Sequence, residues 1–182
     1  MPSPLFPFDP DWSEPVRERR IYLTNILPAY DGTEQRVRLR KAPRLLISYR
    51  LVSMQTRETA ALHALLWGNS KFTVPLWQDA QPLVADAAGG SGSISVTTTG
   101  RRFAAGGLAA IWRDPFTHEI VTIASVSSGA LTLDGATTLG WTADGRTIVM
   151  PARAGVLELA AAIGIASPTA TQSPFSFLCE AA

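Results

Sequence analysis

The stretch Glu34–Trp77 constrains the fold of this chain more than any other. From Gln35 to Lys41 charged and apolar residues alternate, which is the period-two pattern of a half-buried strand. Pro43 interrupts the pattern because proline cannot donate a ladder hydrogen bond and restrains the residue before it, so we predict a second strand from Arg44. Four apolar residues of this second strand then share one face: Leu45, Ile47, Tyr49 and Leu51.

A short helix and a return strand complete the same stretch. Thr56 is typical of a helix N-cap, and Gly68 with Asn69 is typical of a helix end. Leucines at helical spacing supply the apolar stripe: Leu62, Leu65 and Leu66. We predict a strand from Lys71 to Trp77, with Pro75 at a strand edge or end. This β-β-α-β block holds no catalytic motif, which favours a structural or assembly protein.

Residues 1–15 hold five prolines and three aromatic residues, so they are expected to form an extended arm. Two alternatives remain open for Phe6, Phe8 and Trp12. They can fold back on the same molecule, or they can reach a neighbouring subunit, since a proline-stiffened segment loses little entropy on docking. Next, Arg17 to Asn25 is predicted as a strand, and the turn pair Asp31-Gly32 predicts a hairpin with the strand that begins at Glu34.

The chain changes character after Trp77. Gln78 to Gly92 loses its pattern and ends in Gly-Gly-Ser-Gly, which predicts a flexible joint. Short strand-like runs separated by turn pairs follow, and they predict a small antiparallel barrel or sandwich. The predicted runs are Ser93 to Thr99, Leu108 to Arg113, Glu119 to Val126, Ala130 to Leu133 and Arg146 to Met150. Their predicted core consists of Ile94, Val96, Leu108, Ile111, Ile120, Ile123, Val126, Leu131, Leu133, Ile148 and Val149.

Two further strands are predicted to return to the first sheet. One runs from Ala154 to Ala166, and the other from Phe175 to Cys179, after a polar loop between Pro168 and Pro174. The fold class predicted from the sequence is therefore mainly β with one short helix. In it, an arm (1–15) precedes a split β-rich assembly domain (16–80 and 151–182) that carries an inserted small barrel or sandwich (93–150).

The bulk properties exclude several classes of protein. With 182 residues, 46% hydrophobic and 17% charged, the chain is expected to be globular, and a net charge of +1 disfavours a general nucleic-acid or membrane-surface binder. The single cysteine, Cys179, rules out an intrachain disulfide. The start lacks the layout of a signal peptide, and no run approaches the roughly twenty apolar residues of a membrane span. We therefore expect a soluble protein made in a reducing cytoplasm.

Candidate chemistry is sparse, and we expect no catalytic, cofactor or metal site. Glu34, Glu58 and Asp79 are interpreted as surface charges because no hydrolase signature accompanies them. The sequence contains no HExxH, GxSxG or phosphate-binding glycine loop, and His63 is interpreted as a helix-surface residue. One minor alternative is a small hydrolase that uses His118 with Asp114 or Glu119.

The densest basic patch and the tryptophans are the remaining candidates for binding. The basic patch consists of Arg36, Arg38, Arg40, Lys41 and Arg44. It can be solvated or paired within the chain, it can pair with carboxylates across a subunit interface, or it can hold phosphates. Tryptophans are more often core or interface anchors than sugar platforms. A carbohydrate-binding module that presents Trp112 or Trp141 to a cell-surface glycan nevertheless stays open as the alternative function.

Over about its first eighty residues the chain resembles tail proteins of long-tailed bacteriophages and prophages. The resemblance rests on the proline-rich aromatic start, the Asp31-Gly32 turn, Glu34-Gln35-Arg36 with Arg40, the pair Pro43-Arg44, the helix, and Phe72-x-Val74-Pro75-Leu76-Trp77. It implies a non-enzymatic virion component of the tail tip or baseplate, similar to distal tail proteins, with a ring-forming β-rich domain and a second β domain outside it. This chain is short for such a protein.

The resemblance also implies partners and a location. The partners would be further copies of the chain in a hexameric or trimeric ring, together with the tail tube and the baseplate hub, and neither nucleic acid nor a membrane. The protein would be assembled in the host cytoplasm and reside in the virion. Its matching residues would be structural and interface residues: Glu34, Arg36, Arg40, Pro43 and Arg44.

Overall fold

The computed structural model describes residues 3–28, 30, 33–53, 55–158, 164–167 and 170–180. This part of the chain is mainly β with one α-helix, which confirms the predicted fold class. The elements in chain order are β1 (Arg17–Ile21), β2 (Thr24–Pro28), β3 (Glu34–Arg38), β4 (Arg44–Ser53), α1 (Thr56–Gly68), β5 (Lys71–Pro75), a 3-10 helix (Trp77–Asp79), β6 (Gln81–Pro82), β7 (Ser93–Ser95), β8 (Leu108–Asp114), β9 (Thr117–Val126), β10 (Ala130–Leu133), β11 (Ile148–Leu157), β12 (Gly164–Ser167) and β13 (Ala170–Cys179).

The strands form two antiparallel sheets. The large sheet has eleven strands, ordered β1-β4-β13-β11-β8-β9-β10-β7, with β12 on β13 and with β5 and β6 on β11. The small sheet consists of β2 and β3 alone. Among the described residues the large sheet does not close into a barrel.

The β-β-α-β block has the predicted elements. β4 begins at Arg44, and its four alternating apolar residues are buried as the period-two pattern requires. The helix starts at Thr56, but Gln55 occupies the N-cap position, so the prediction that Thr56 caps the helix is wrong. Leu62 is fully buried in an apolar core. This packing stabilises the helix, because a helix of this length is marginal by itself. The return strand ends at Pro75, and the chain turns into the 3-10 helix.

The predicted strand from Arg17 to Asn25 is in fact two strands in different sheets. β1 pairs with β4, with Arg17 opposite Ser48, whereas β2 pairs with β3, with Ile26 opposite Arg36. Tyr22 and Leu23 separate the two strands and are exposed. The alternation in the sequence indicates only which face of a strand a residue occupies. It carries no information about which strand is the partner, so it cannot show the change of sheet. The predicted hairpin is confirmed, although Asp31 and Gly32 lie outside the described residues.

Two apolar cores lie on opposite faces of the strands β8, β9 and β11. The first core lies under α1 and contains Phe72, Phe175, Phe177 and the apolar face of β4. The second core contains Ile94, Ile111, Ile123 and Leu131. Alternate residues of β8 enter different cores, because Ala110 packs in the first and Ile111 in the second.

Strands β8, β9 and β11 contribute side chains to both cores, so the predicted inserted barrel does not have all of its predicted core residues in one core. From the predicted barrel core, Leu108, Ile120 and Ile148 instead pack against the first core, and Val126 is exposed. The remaining seven residues do form the second core: Ile94, Val96, Ile111, Ile123, Leu131, Leu133 and Val149. Strands that are buried on both faces have apolar residues at successive positions. The sequence therefore does not show which of these residues belongs to which face.

The glycine-rich segment before β7 is held by backbone hydrogen bonds. Gly90 donates to the carbonyl of Thr137 at 2.7 Å, and Gly92 accepts from Leu133 at 2.9 Å. Gly90 has a φ of +88°, which favours glycine over any residue with a side chain. The segment thus forms hydrogen-bonded turns beside the second core, and its flexibility stays a prediction. Its glycines serve a tight turn.

Strand β13 lies between β4 and β11 and supplies Phe175, Phe177 and Cys179 to the first core, as predicted from their alternation. The predicted loop before it is wrong, because Pro174 lies within β13 and opposite Arg50 of β4. β12 pairs with β13 up to Gln172, and β11 pairs with it from Phe177 onward. Pro174 falls in the gap, so its missing N–H removes no bond to either strand. Of the predicted strand Ala154 to Ala166, the first part belongs to β11, and 159–163 lie outside the described residues.

Candidate interaction surface

The hairpin of β2 and β3 is exposed to solvent along the whole length of its two strands. Every residue of both strands is exposed. Neither strand is hydrogen-bonded to the large sheet, and in the described chain their extensive contacts are with each other. An isolated two-stranded hairpin is at best marginally stable in water, so a hairpin of this kind is expected to gain stability from a surface that covers it.

One face of the hairpin is apolar. The register pairs Asn25 with Val37 and Leu27 with Gln35, and Leu39 donates a backbone hydrogen bond to Leu23 at 3.0 Å. The side chains that share this face are Leu23, Asn25, Leu27, Gln35, Val37 and Leu39. The exposed fractions of Leu27 and Leu39 are 48% and 54%. A contiguous set of large apolar side chains in solvent is typical of a site that binds another protein.

The other face is basic. Arg36 and Arg38 lie on it beside Ile26 and Thr24, and with Arg40 and Tyr22 they line a shallow depression of about 210 Å³. This arrangement agrees with the alternation read from the sequence, which placed the three arginines on one face.

The arginines of this face are only partly neutralised within the chain. Arg36 pairs with Glu34 at 3.1 Å, and both side chains are mostly exposed, so solvent screens the pair. Arg38 donates to the backbone carbonyls of Arg40, at 2.7 Å, and of Lys41. These two bonds fix the guanidinium in place without cancelling its charge. The face therefore presents positive charge in a defined position.

The remaining predicted interface residues are dispersed. Arg44 begins β4 opposite Ile21 and is exposed at the base of the hairpin. Phe6 and Phe8 are buried in the first core, where the ring of Phe6 lies 4.8 Å from that of Phe177. Trp12 stays exposed. In this chain the arm therefore follows the first of the two alternatives at Phe6 and Phe8, because folding back inserts these rings among their own aromatic neighbours.

The arm is also held through its backbone. Phe6 donates to the carbonyl of Thr73 at 2.9 Å, and Thr73 donates to Pro4 at 2.8 Å, which adds residues of the arm beside β5. The indole of Trp112 donates to the carbonyl of Pro7 at 2.6 Å. Proline-rich composition indicated an extended arm, but it gave no signal that the arm completes a core.

The two candidate glycan contacts are used inside the chain. Trp112 packs edge-to-face on Trp77, with ring centroids 5.3 Å apart, while its N–H bonds to the arm. Trp141 is buried in the second core, and its N–H donates to Glu119 at 3.3 Å. A sugar platform needs an accessible ring face, so neither placement adds support to the carbohydrate-binding alternative.

The candidate hydrolase residues lie near one another, since His118 and Glu119 both line the cavity between the arm, α1 and the β8–β9 hairpin and Asp114 is close to His118, but their carboxylates are used elsewhere. His118 lies opposite Trp112 and Glu119 opposite Ile111, so the two side chains occupy opposite faces of β9. The Glu119 carboxylate accepts bonds from the backbone N–H groups of Thr138 and Leu139. Asp114 caps the tight turn after β8 by accepting from Phe116 and Thr117. Desolvation lowers the pKa of His118. Both carboxylates therefore accept hydrogen bonds from backbone N–H groups of loops and turns.

An ion-pair network at the root of the hairpin was not found from the sequence. Arg102, in the loop before β8, contacts Glu18 of β1 at 2.7 Å and also pairs with Asp79 of the 3-10 helix. Asp79, interpreted from the sequence as a surface charge, is buried. The network joins β1, which leads directly into the hairpin, to the body of the protein. The residues are far apart in sequence, so only the fold brings them together.

Compared with known proteins, the chain matches no family model and no curated protein sequence. Among the described residues, no helix has the length and apolar character needed to cross a membrane.

Proposed function

We propose that this protein is a structural component of the tail tip or baseplate of a long-tailed bacteriophage, and that it works by assembling into a homo-oligomeric ring. The ring would join the tail tube to the host-recognition apparatus, and the protein would act without catalysis. The observation that carries this proposal is the β2–β3 hairpin, which in the described chain forms a sheet of its own with an apolar face and a basic face both in solvent.

The hairpin has the chemistry of a subunit contact. Its apolar side chains have area to bury against a neighbour, which is the main favourable term in association. The outer edges of β2 and β3, which no other described strand pairs with, offer backbone groups for strand addition. Arginine's planar fork pairs with carboxylates on a neighbouring surface, which gives the contact specificity.

The ion pairs at the root of the hairpin support the same proposal. Arg102 ties β1 to the 3-10 helix, so the hairpin leaves the body from a fixed strand. A ring needs every subunit to present its contact at the same angle, because a heterologous contact closes only at a defined rotation. Resemblance to distal tail proteins supplies the ring and the tail as the setting for this geometry.

The test is the oligomeric state of a charge-reversed hairpin. Light scattering after size-exclusion chromatography should find the wild type as a closed oligomer, and Arg36→Glu with Arg40→Glu as a monomer with an unchanged thermal unfolding midpoint. A matched control, Lys71→Glu with Arg146→Glu, makes the same charge change at exposed residues off the hairpin and should assemble. A wild-type protein that stays monomeric and is absent from purified tail particles contradicts the proposal.

A further inference from the structure

We infer that the β2–β3 hairpin of one copy docks in a groove on a second copy, between the arm, helix α1 and the β8–β9 hairpin, so that the subunits join head to tail. This inference rests on the proposed function and names the receiving surface. The groove has a volume of about 360 Å³. Its lining is mainly apolar, with Leu5, Phe8, Ala61 and Leu65, and it also contains His118 and Glu119.

The charge of the chain is divided between two regions. Residues 17–44 carry eight basic and three acidic side chains, a net +5, and the other residues carry eight basic and twelve acidic ones, a net −4, which together give +1. The hairpin belongs to the basic region. A contact of hairpin against hairpin would bring like charges together, which costs energy, whereas a contact of hairpin against body is attractive. The charge distribution therefore favours a heterologous contact over a two-fold one.

The groove is formed by residues outside 17–44, and acidic residues belong to its lining or lie next to it in the chain, as Glu119 and Asp114 do. Asp9 follows Phe8 of the lining, and Glu58 lies one helical turn before Ala61 on the same face of α1. The two carboxylates are close enough to interact, since the charge of Glu58 adds to the desolvation that raises the pKa of Asp9. Asp114 lies beside His118, and the guanidinium of Arg57 stacks on the ring of Phe116 at 3.8 Å.

The hairpin is complementary to this surface in apolar character and in charge. It carries leucine and valine on one face and arginines on the other, and the groove offers an apolar floor with acidic groups beside it. Its volume suits a few side chains rather than a folded domain. In the sheet order, β1 at the root of the hairpin is separated from β8 and β9 at the groove by β4, β13 and β11. Two different surfaces on one subunit, here an exposed hairpin and a separate groove, are what a head-to-tail ring requires.

The test is a mixed cross-link between two single-substitution variants. Leu27→Cys places a thiol on the hairpin, Ala61→Cys places one in the groove, and the native Cys179 is buried. With a short bismaleimide, a mixture of the two should give a covalent dimer at least ten times faster than either variant alone. Val84→Cys, at a position that is 62% exposed and belongs neither to the hairpin nor to the lining of the groove, replaces Leu27→Cys in the control mixture and should react slowly.

The outcomes separate this inference from the proposed function. Rapid cross-linking of Leu27→Cys with itself indicates hairpin against hairpin and overturns the head-to-tail arrangement. Variants that still assemble by light scattering but give no faster product than the Val84→Cys control overturn the groove as the receiving site, while the ring remains. A chain that does not assemble at all contradicts the proposed function first.

Discussion

The two hairpins β2–β3 and β8–β9 are built alike and end in opposite environments. Each consists of two consecutive antiparallel strands, yet β8–β9 has both faces in apolar cores and β2–β3 has both faces in solvent. Their sequences differ in a way that agrees with this difference in burial. β8 carries alanine and isoleucine on its inward positions, whereas β3 alternates arginine with apolar residues. Pairing two strands is thus a step common to both, and burial is what distinguishes them.

The comparison separates apolar residues that the described chain buries from apolar residues that it leaves in solvent. The β8–β9 hairpin uses its apolar residues within the monomer, so its strands contribute to folding. The β2–β3 hairpin retains similar residues that no other element of the described chain covers. Substitutions in the first hairpin should therefore lower the free energy of unfolding, and substitutions in the second should weaken association.

The largest effect is expected at Ile111 of β8. Ile111→Ala removes a fully buried side chain from the second core and should lower the free energy of unfolding by about 2–5 kcal/mol, the usual range for such a cavity. Urea unfolding followed by circular dichroism measures the change. The matched control is Ile26→Ala in β2, which should shift the same quantity by less than about 0.5 kcal/mol because Ile26 is exposed. Equal losses at the two isoleucines would remove the contrast between the hairpins.

An intermediate effect is expected at Trp112, which links the β8–β9 hairpin to the arm. Trp112→Phe keeps an aromatic ring but leaves the buried carbonyl of Pro7 without its donor, at a cost of about 1–3 kcal/mol. Thermal unfolding should report the loss, with the exposed Trp67→Phe as the unaffected control. An unchanged midpoint would mean that the arm is not held through this bond.

The smallest effect on folding is expected at Leu27 of β2. Leu27→Ala should change the free energy of unfolding by less than about 0.5 kcal/mol, since nearly half of the side chain is exposed, but it should weaken self-association measured by sedimentation. Val84→Ala makes a comparable truncation at an exposed site off the hairpin and should leave association unchanged. Destabilisation of the monomer by Leu27→Ala would mean that the hairpin already contributes to the core.

The parts of the fold that follow from the sequence are those governed by local period and by chain breakers. Alternation gave the buried face of β4 and the inward residues of β13, and Gly68 with Asn69 gave the end of α1. The turn pair after Tyr30 gave the β2–β3 hairpin. These signals are local because side-chain direction in a strand or helix depends on position alone.

The parts that the sequence did not reveal depend on which elements meet. The insertion of Phe6 into the first core, the change of sheet between β1 and β2, and the burial of Asp79 beside Arg102 all join residues that are distant in sequence or strands that pair differently. The same limit applies to the candidate surface. Alternation placed the arginines on one face, but only the sheet pairing reveals that no strand of the described chain covers the other.

The position of β13 has a consequence for how the protein is made in the cell. Ser48 of β4 and Ser176 of β13 are hydrogen-bonded at 2.8 Å across 128 residues of chain. A ribosome that adds about 5–20 residues per second needs roughly 6–26 s to travel between them. During that interval the aliphatic side of β4 has emerged from the translation machinery without its neighbour, so chaperones that bind nascent polypeptides have time to engage it.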